Sequence, residues 1–346
     1  MSYTNGLDKP TDYFETKLYT GTVSSQSITG VGFQPDWVWI KYRSDIANHH
    51  LYDSVRGVQK RLNSNTSNAE ATSVNNLTSF DSDGFTIGTD NDINESGQTY
   101  ASWNWLASNT TASNTDGSIT STVSANTTSG FSIVSYTGTG SNANIGHGLA
   151  SVPKIIFVKR RNTAENWAVN IQKITNVIND SLWLNLTNAS STIPIWWNST
   201  NQTSSVFSVG TASDVNGSGD TYIAYCFAEK TGYSKFGSYT GNGSTDGPFV
   251  YTGFKPAFVI IKSSSQAETN WVIVDNKREG YNPDNDRLFP DSNQAESTSD
   301  VIDLLSNGFK LKSGAGSSNG PSYTHIYMAF AEAPFVTSGG IPTTAR

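Results

Sequence analysis

The most constraining feature of the sequence is a proline-led apolar stretch that occurs three times, at residues 33–41, 152–159 and 254–262. In each copy a run of apolar residues separates a proline from a lysine six places later. Proline cannot donate to a sheet ladder and belongs at the start or the edge of a strand, and the apolar run predicts a strand that is covered on both faces. We expect the lysine of each copy to return its strand to solvent. The three lysines are Lys41, Lys159 and Lys262.

Other anchors recur around this stretch in the same order. A Tyr-Thr-Gly turn precedes each proline by 16 or 17 residues, and a closing apolar strand lies 15 or 16 residues after a downstream phenylalanine. Near-constant spacing indicates an internal repeat, and a period of more than 100 residues gives each unit the size of a small domain rather than that of a solenoid repeat. We therefore predict an internal triplication. The turns begin at Tyr19, Tyr136 and Tyr239, and the phenylalanines are Phe85, Phe207 and Phe309.

The composition favours an all-β protein. Charged residues make up only 15% of the 346 residues and aromatic residues make up 12%, while Ser, Thr, Asn and Gly take the place of helix formers. Strands are enriched in β-branched and aromatic residues. We predict three tandem β-sandwich domains with a jelly-roll-like strand order, and an immunoglobulin-like order is also compatible with the strand spacing.

The anchors also place the domain boundaries. The segment 108–129 is rich in Ser, Thr and Asn and has too little apolar surface to fold alone. We interpret it as a linker, with an edge strand along a neighbouring domain as its alternative form. The predicted order is an N-terminal arm (1–16), a first β-sandwich (17–107), the linker (108–129), a second β-sandwich (130–231), a third β-sandwich (232–336) and a C-terminal tail (337–346).

Charge and hydropathy argue against several classes of partner. The net charge of −7 and the lack of any Lys or Arg run argue against nucleic-acid binding, which needs a basic face. No apolar stretch approaches the roughly 20 residues of a membrane span, and the first nine residues lack the apolar core of a secretion signal. The single cysteine, Cys226, excludes an intrachain disulfide and is expected in the core.

The sequence offers no catalytic or cofactor motif. No Cys or His spacing suits zinc, and nucleophile elbows, P-loops and dinucleotide fingerprints are absent. Residues 90–95 are similar to the start of a calcium loop but lack its glycine and glutamate, so we expect a solvated hairpin loop there. A glycosidase needs two carboxylates across one cleft, and no Asp or Glu stands out by context. We predict a non-enzymatic protein with no metal and no cofactor.

An Asp–Arg pair follows the proline-led stretch in two of the three units. Asp53 precedes Arg56 in the first unit, and Asp275 precedes Arg278 in the third, whereas the second unit lacks the aspartate. Because the pair repeats with the fold, we interpret it as a structural turn rather than as a catalytic pair.

Exposed aromatic residues are the best candidates for ligand binding, since sugars stack on Trp and Tyr faces. Four tryptophans that lie in strands common to the three units are expected in the core. Trp196 and Trp197 lie in a part that is special to the second unit, and we predict that one of them binds a glycan or contributes to an interface. If they lie on a strand they point to opposite faces, so at most one is buried in a given core. Packing against the third unit is the alternative.

Three stretches of the repeat carry a resemblance to a known group of proteins. Residues 17–21, 32–41 and 79–88 resemble a module of marine bacteriophage structural proteins, and residues 145–149 are similar to the form of it in the second unit. Such modules occur in tail-fibre and appendage proteins of phages that infect cyanobacteria and other marine bacteria. The resemblance covers residues 12–335 and implies no catalytic or ligand-binding residues.

The resemblance implies a non-enzymatic protein of the virion surface, most simply a tail-fibre or appendage component with a part in host attachment. Its implied partners are other virion proteins and further copies of itself, in a homotrimer. A carbohydrate-binding adhesin that recognises a host glycan and a capsid decoration protein are the alternatives. We expect no nucleic-acid partner and no membrane insertion.

Overall fold

A computed structural model describes residues 6–278, 282 and 286–343. It confirms an all-β fold, because strands in several antiparallel sheets form most of the regular structure and each helix has a single turn. Of the predicted arm, residues 1–5 lie outside the described residues, as do residues 344–346 of the predicted tail. Among the residues that are described, no helix has the length and apolar character needed to cross a membrane.

The first unit begins with a 3-10 turn and contains one large and one smaller sheet. The large sheet has the order β1-β9-β3-β4, the smaller has the order β2-β8-β7, and β5 pairs with β6. The elements are the 3-10 turn (Pro10–Asp12), β1 (Phe14–Thr20), β2 (Gln26–Thr29), β3 (Trp37–Tyr42), β4 (His49–Asp53), β5 (Lys60–Arg61), β6 (Ala71–Thr72), β7 (Leu77–Asp81), β8 (Gly84–Ile87), α1 (Asn91–Asn94) and β9 (Thr99–Trp105).

The second unit has the largest sheet, with the order β10-β11-β12-β19-β14-β15-β16-β17, and a small sheet of β13 and β18. The predicted linker supplies its edge strands β10 and β11. The elements are β10 (Ala112–Asn114), β11 (Ser121–Asn126), β12 (Phe131–Thr137), β13 (Ala143–Gly146), β14 (Ile155–Arg160), β15 (Ala168–Asn170), α2 (Gln172–Thr175), β16 (Asp180–Trp183), β17 (Ser191–Thr192), α3 (Pro194–Trp197), β18 (Val206–Val209), α4 (Ser213–Asn216) and β19 (Thr221–Phe227).

The third unit returns to the arrangement of the first, with a large sheet of order β20-β26-β22-β23 and a smaller one of order β21-β25-β24. The elements are β20 (Ser234–Thr240), β21 (Phe249–Tyr251), β22 (Phe254–Ser263), β23 (Val272–Asp275), β24 (Ile302–Leu305), β25 (Gly308–Leu311), α5 (Gly316–Asn319) and β26 (Thr324–Pro334).

A four-strand order recurs in the large sheets of all three units. The strand with the Tyr-Thr-Gly turn pairs with the closing strand, which pairs with the proline-led strand, which pairs with the strand after it. The recurring order agrees with the anchors in the sequence, and the origin of the units by triplication stays a prediction.

The proline-led strand is covered on both faces, as its apolar run predicts. In β3 the side chains alternate, so that Trp37 and Trp39 enter one hydrophobic cluster while Val38 and Ile40 enter another. The second cluster lies between the large and the smaller sheet of the first unit and forms its sandwich core. Corresponding sandwich cores occur in the second and third units.

The other faces of the three large sheets meet in one shared aromatic core. Trp37 of the first unit stacks on Tyr225 of the second, with ring centroids 4.5 Å apart. Phe227 of the second unit contacts Phe330 of the third at 6.0 Å, and Phe14 contacts Phe258 of the third at 5.5 Å. The three sandwiches therefore surround a common core, and β1 already begins at Phe14, inside the predicted arm.

Candidate functional site

The predicted ligand residues Trp196 and Trp197 are both buried. Pro194 starts the one-turn helix α3, because its fixed φ suits the first helical position, so the two side chains do not alternate as on a strand. Trp196 packs against Trp183 with ring centroids 5.3 Å apart, and Trp197 Nε1 donates a 2.7 Å hydrogen bond to Ser181 Oγ. Only 3% of Trp196 and 0% of Trp197 is exposed. Neither indole has an open face on which a sugar can stack in this structure, so burial argues against the predicted glycan contact, and the predicted glycan or interface role stays a prediction.

The lysines of the repeat are buried too, which corrects the expectation that they return to solvent. Lys159 Nζ donates to Ser67 O of the first unit at 3.0 Å and to Glu165 O at 2.6 Å. Lys262 Nζ donates to Thr187 O of the second unit at 3.1 Å and to Thr269 O at 2.7 Å. In each case a loop of the preceding unit covers the end of the strand, so the ammonium group joins two units.

Burial has the same electrostatic consequence at all three positions. It lowers the pKa of Lys41 to about 8, against the partial opposition of Glu296 from the third unit. It also lowers the pKa of Lys159 and of Lys262 to about 8. The carbonyl partners therefore compensate only part of the desolvation of each ammonium group.

Two of the three interfaces between units carry an Arg–Glu pair. Between the first and second units, Arg161 binds Glu70 through Nε at 2.9 Å and Nη2 at 3.0 Å. Between the third and first units, Arg43 binds Glu296 through Nη2 at 2.7 Å. In both cases the glutamate N–H donates to the arginine carbonyl at 2.8 Å. Such two-pronged pairs add geometric specificity to the contact.

The interface between the second and third units keeps the backbone contact without the charges. Ser190 N donates to Ser264 O at 2.7 Å. Ser264 follows Lys262 by two places, as Arg161 follows Lys159. The three interfaces thus share one backbone geometry at this position, and in two of them an Arg–Glu pair is added to it.

The Asp–Arg pairs close turns, as the sequence predicts, and they also join units. Asp275 Oδ1 accepts from Arg278 N at 3.0 Å, and its Oδ2 accepts from Trp103 Nε1 of the first unit at 2.9 Å. In the first unit, Asp53 pairs with Arg56, and its Oδ2 accepts from the Tyr225 hydroxyl of the second unit at 2.6 Å. Although burial alone would raise it, Arg278 holds the pKa of the Asp275 carboxyl below its usual range.

An asparagine that recurs in all three units was not predicted from the sequence. Asn216 ends α4, and its Nδ2 donates to Ser141 O and Gly210 O, both at 2.6 Å. Asn94 and Asn319 occupy the matching ends of α1 and α5 and bind loop carbonyls in the same way. The signal was present in the sequence, since each asparagine lies two places before the Ser or Pro of the turn that precedes a closing strand.

The acidic segment 90–95 forms a helical turn rather than the expected hairpin loop. Asp90 caps α1 by accepting from Asp92 N at 2.9 Å, and Asp92 pairs with Arg61 at 2.7 Å. In the described part of the chain, no group of three or more His, Cys, Asp or Glu side chains is placed to hold a metal ion.

The third unit contains an open cavity of about 680 Å³. It lies between the 229–235 junction, the turn after β21 and the segment that follows β26. Tyr251 and Phe335 supply aromatic walls, and Glu229 and Lys235 supply charged groups. Lys235 Nζ lies 2.8 Å from Glu229 Oε1, while Glu229 Oε2 accepts from Phe236 N at 3.3 Å. This volume is within the range of small-molecule sites, roughly 300–1,000 Å³.

A family model described as "Domain of unknown function (DUF7483)" matches residues 9–334. The chain belongs to this family. The DUF7483 match begins beside the turn at Pro10 and ends with β26, so one family model spans all three units and their shared core. No curated protein and no solved structure showed a significant match to this chain.

Proposed function

We propose that this protein is a non-enzymatic structural component of a bacteriophage virion, in a tail fibre or another surface appendage with a part in host attachment. One observation carries the proposal. The charged groups that recur with the fold are held at the interfaces between units by partners from within the chain.

The interface contacts have a mechanical consequence. Lys159 and Lys262 are each bound to a carbonyl of the preceding unit. Asp275 is bound to Trp103 across the interface between the third and the first unit. A buried ion or polar group is costly to separate from its partners. Displacing one unit from the others would break several such contacts together, so the three units behave as one rigid block. A stiff block suits a component that bears load between a particle and a surface.

The resemblance of residues 17–21, 32–41 and 79–88 to phage modules supports the virion assignment. Under this proposal the partners are other virion proteins and two further copies of the chain in a homotrimer. The trimer is tested by measuring the molar mass of the purified chain in solution by light scattering. Three chains per particle are expected, and a monomer at all concentrations contradicts the trimer.

Location on the particle tests the function itself. Antibodies raised against the purified chain are bound to intact particles of the phage that encodes it and are located by electron microscopy with gold labels. Label on the tail or its appendages is expected. Label confined to the shell would replace this proposal by a capsid decoration role, and unlabelled particles that contain no copy of the chain by mass spectrometry would overturn the virion assignment.

A further inference from the structure

Two aromatic rings at the cavity of the third unit are exposed although they lie beside a concave surface. Tyr251 is 59% exposed and Phe335 is 37% exposed. Aromatic rings offer a large, rigid contact face at low entropic cost. Both rings line the same cavity. They therefore offer exposed aromatic surface to a ligand ring inside this cavity.

The position of the Tyr251 ring is set by the local backbone. β21 is the edge strand of its sheet, and Val250 points inward while Phe249 and Tyr251 point outward. Gly253 has a φ of +84°, which favours glycine, and a Cβ atom there would lie 3.5 Å from Tyr251 Oη. The ring thus lies over the turn that follows its own strand, at the rim of the cavity.

The polar groups of the cavity are balanced in charge. Glu229 and Lys235 form a single ion pair, and their side chains remain 28% and 38% exposed. An ammonium group has three donors and a carboxylate has several acceptor sites, so each group keeps hydrogen-bonding capacity after the pair has formed. A site with no net charge gives no electrostatic preference for an anionic ligand. It offers a donor and an acceptor side by side, which matches a pair of neighbouring hydroxyl groups.

We propose that this cavity binds a neutral saccharide. One face of a pyranose ring packs its C–H groups on Tyr251, with Phe335 as the second wall, and adjacent hydroxyls bond to Glu229 and Lys235. The site is distinct from the buried Trp196 and Trp197. The inference gives the proposed attachment role a ligand class and rests on that role only for its biological meaning, because binding is measured on the isolated chain.

Affinity electrophoresis of the purified full chain tests the site. Native gels contain dextran, mannan, galactomannan or xyloglucan as neutral probes, alginate as an anionic probe, or no polysaccharide. At least one neutral probe is expected to retard the chain. Tyr251→Ala weakens the retardation about tenfold in apparent Kd, which corresponds to about 1.4 kcal/mol, while Tyr251→Phe retains it. Phe249→Ala is the matched control, because Phe249 lies on the same face of β21 but outside the cavity lining, and it leaves retardation unchanged.

Three outcomes overturn the inference. They are no retardation of the wild-type chain by any neutral probe, retardation by alginate alone, and an equal loss in Tyr251→Ala and Phe249→Ala. Thermal unfolding of each variant verifies that the exposed substitutions leave the fold intact. Because gold labelling of particles reports location whether or not a sugar binds, failure of the saccharide site and failure of the virion assignment are distinguishable.

Discussion

Nε1 of Trp103 donates a 2.9 Å hydrogen bond to Oδ2 of Asp275, a residue 172 positions later in the chain. The bond joins the first unit to the third, and both side chains are buried. Asp53 and Tyr225 make the equivalent contact between the first and second units at 2.6 Å. Each carboxylate therefore closes a turn in its own unit and also accepts a hydrogen bond from a neighbouring unit. These bonds hold the units around their common core.

Asp275→Asn is expected to destabilise the whole chain. The substitution removes one of the two carboxylates that pair with the buried Arg278 guanidinium, since Glu296 remains at 2.8 Å. Breaking a buried ion pair from one side costs up to about 3–5 kcal/mol. Urea unfolding followed by tryptophan fluorescence gives the change in free energy of unfolding. Asp246→Asn in the same unit is the control, because the Asp246 side chain is 89% exposed in its pair with Lys310, and its unfolding midpoint should not move. Equal midpoints for both variants would show that Asp275 does not fasten the units.

The buried lysines predict that stability rises between about pH 8 and pH 9. The pKa of Lys41, Lys159 and Lys262 is lowered to about 8 in the folded chain, against about 10.4 when unfolded. Between these values the unfolded chain binds more protons, so the free energy of unfolding increases with pH. The buried Cys226 thiol, whose pKa is raised by burial, opposes this trend. Buried tyrosines such as Tyr52 and Tyr136, whose pKa burial also raises, oppose it once the unfolded chain approaches the free tyrosine pKa of about 10.

Urea midpoints measured from about pH 7.5 to about pH 9 check the sign of this slope. The upper limit lies about one pH unit below the tyrosine pKa of the unfolded chain, about 10, so few unfolded tyrosines have lost their protons there. Lys159→Met should reduce the slope by removing one of the three groups. A free energy of unfolding that falls steadily through this window, or a slope that Lys159→Met leaves untouched, would contradict the assignment.

Trp197 is expected to act in folding rather than in binding. Trp197→Ala removes a fully buried indole and its bond to Ser181, and such truncations cost about 3–5 kcal/mol. Ile195→Ala on the same helix is the control, because Ile195 is 58% exposed and its loss should leave the melting temperature unchanged. A Trp197→Ala chain as stable as the wild type would restore the case for a free indole at this position.

Features of the fold that depend on residues close together in the sequence were predictable from it. The alternation of Trp37 and Val38 between two cores follows from the apolar run of the proline-led strand. The fate of Lys159 was not predictable in this way, because the carbonyl that covers it belongs to Ser67, 92 positions earlier. The presence of a lysine at the same place in three units was the available hint, since a merely solvated position has no reason to keep one residue type.

At the candidate site, too, only features that depend on nearby residues could be predicted from the sequence. A strand would place Trp196 and Trp197 on opposite faces, but Pro194 begins a helical turn on which both side chains are buried. A four-residue element leaves no periodic pattern in the sequence. The cavity of the third unit brings together Glu229, Tyr251 and Phe335 from three separate segments. No spacing rule connects residues that meet only after the sheets have formed, so this site required the structure.

Differential scanning calorimetry of the purified chain tests most directly whether the three units form one body. The shared aromatic core and the contacts between units predict a single transition, with a calorimetric enthalpy equal to the van't Hoff enthalpy. Asp275→Asn should lower the temperature of that one transition without splitting it. Two or three resolved transitions in the wild-type chain, each with the enthalpy of a single unit, would show that the sandwiches unfold independently and would contradict the account.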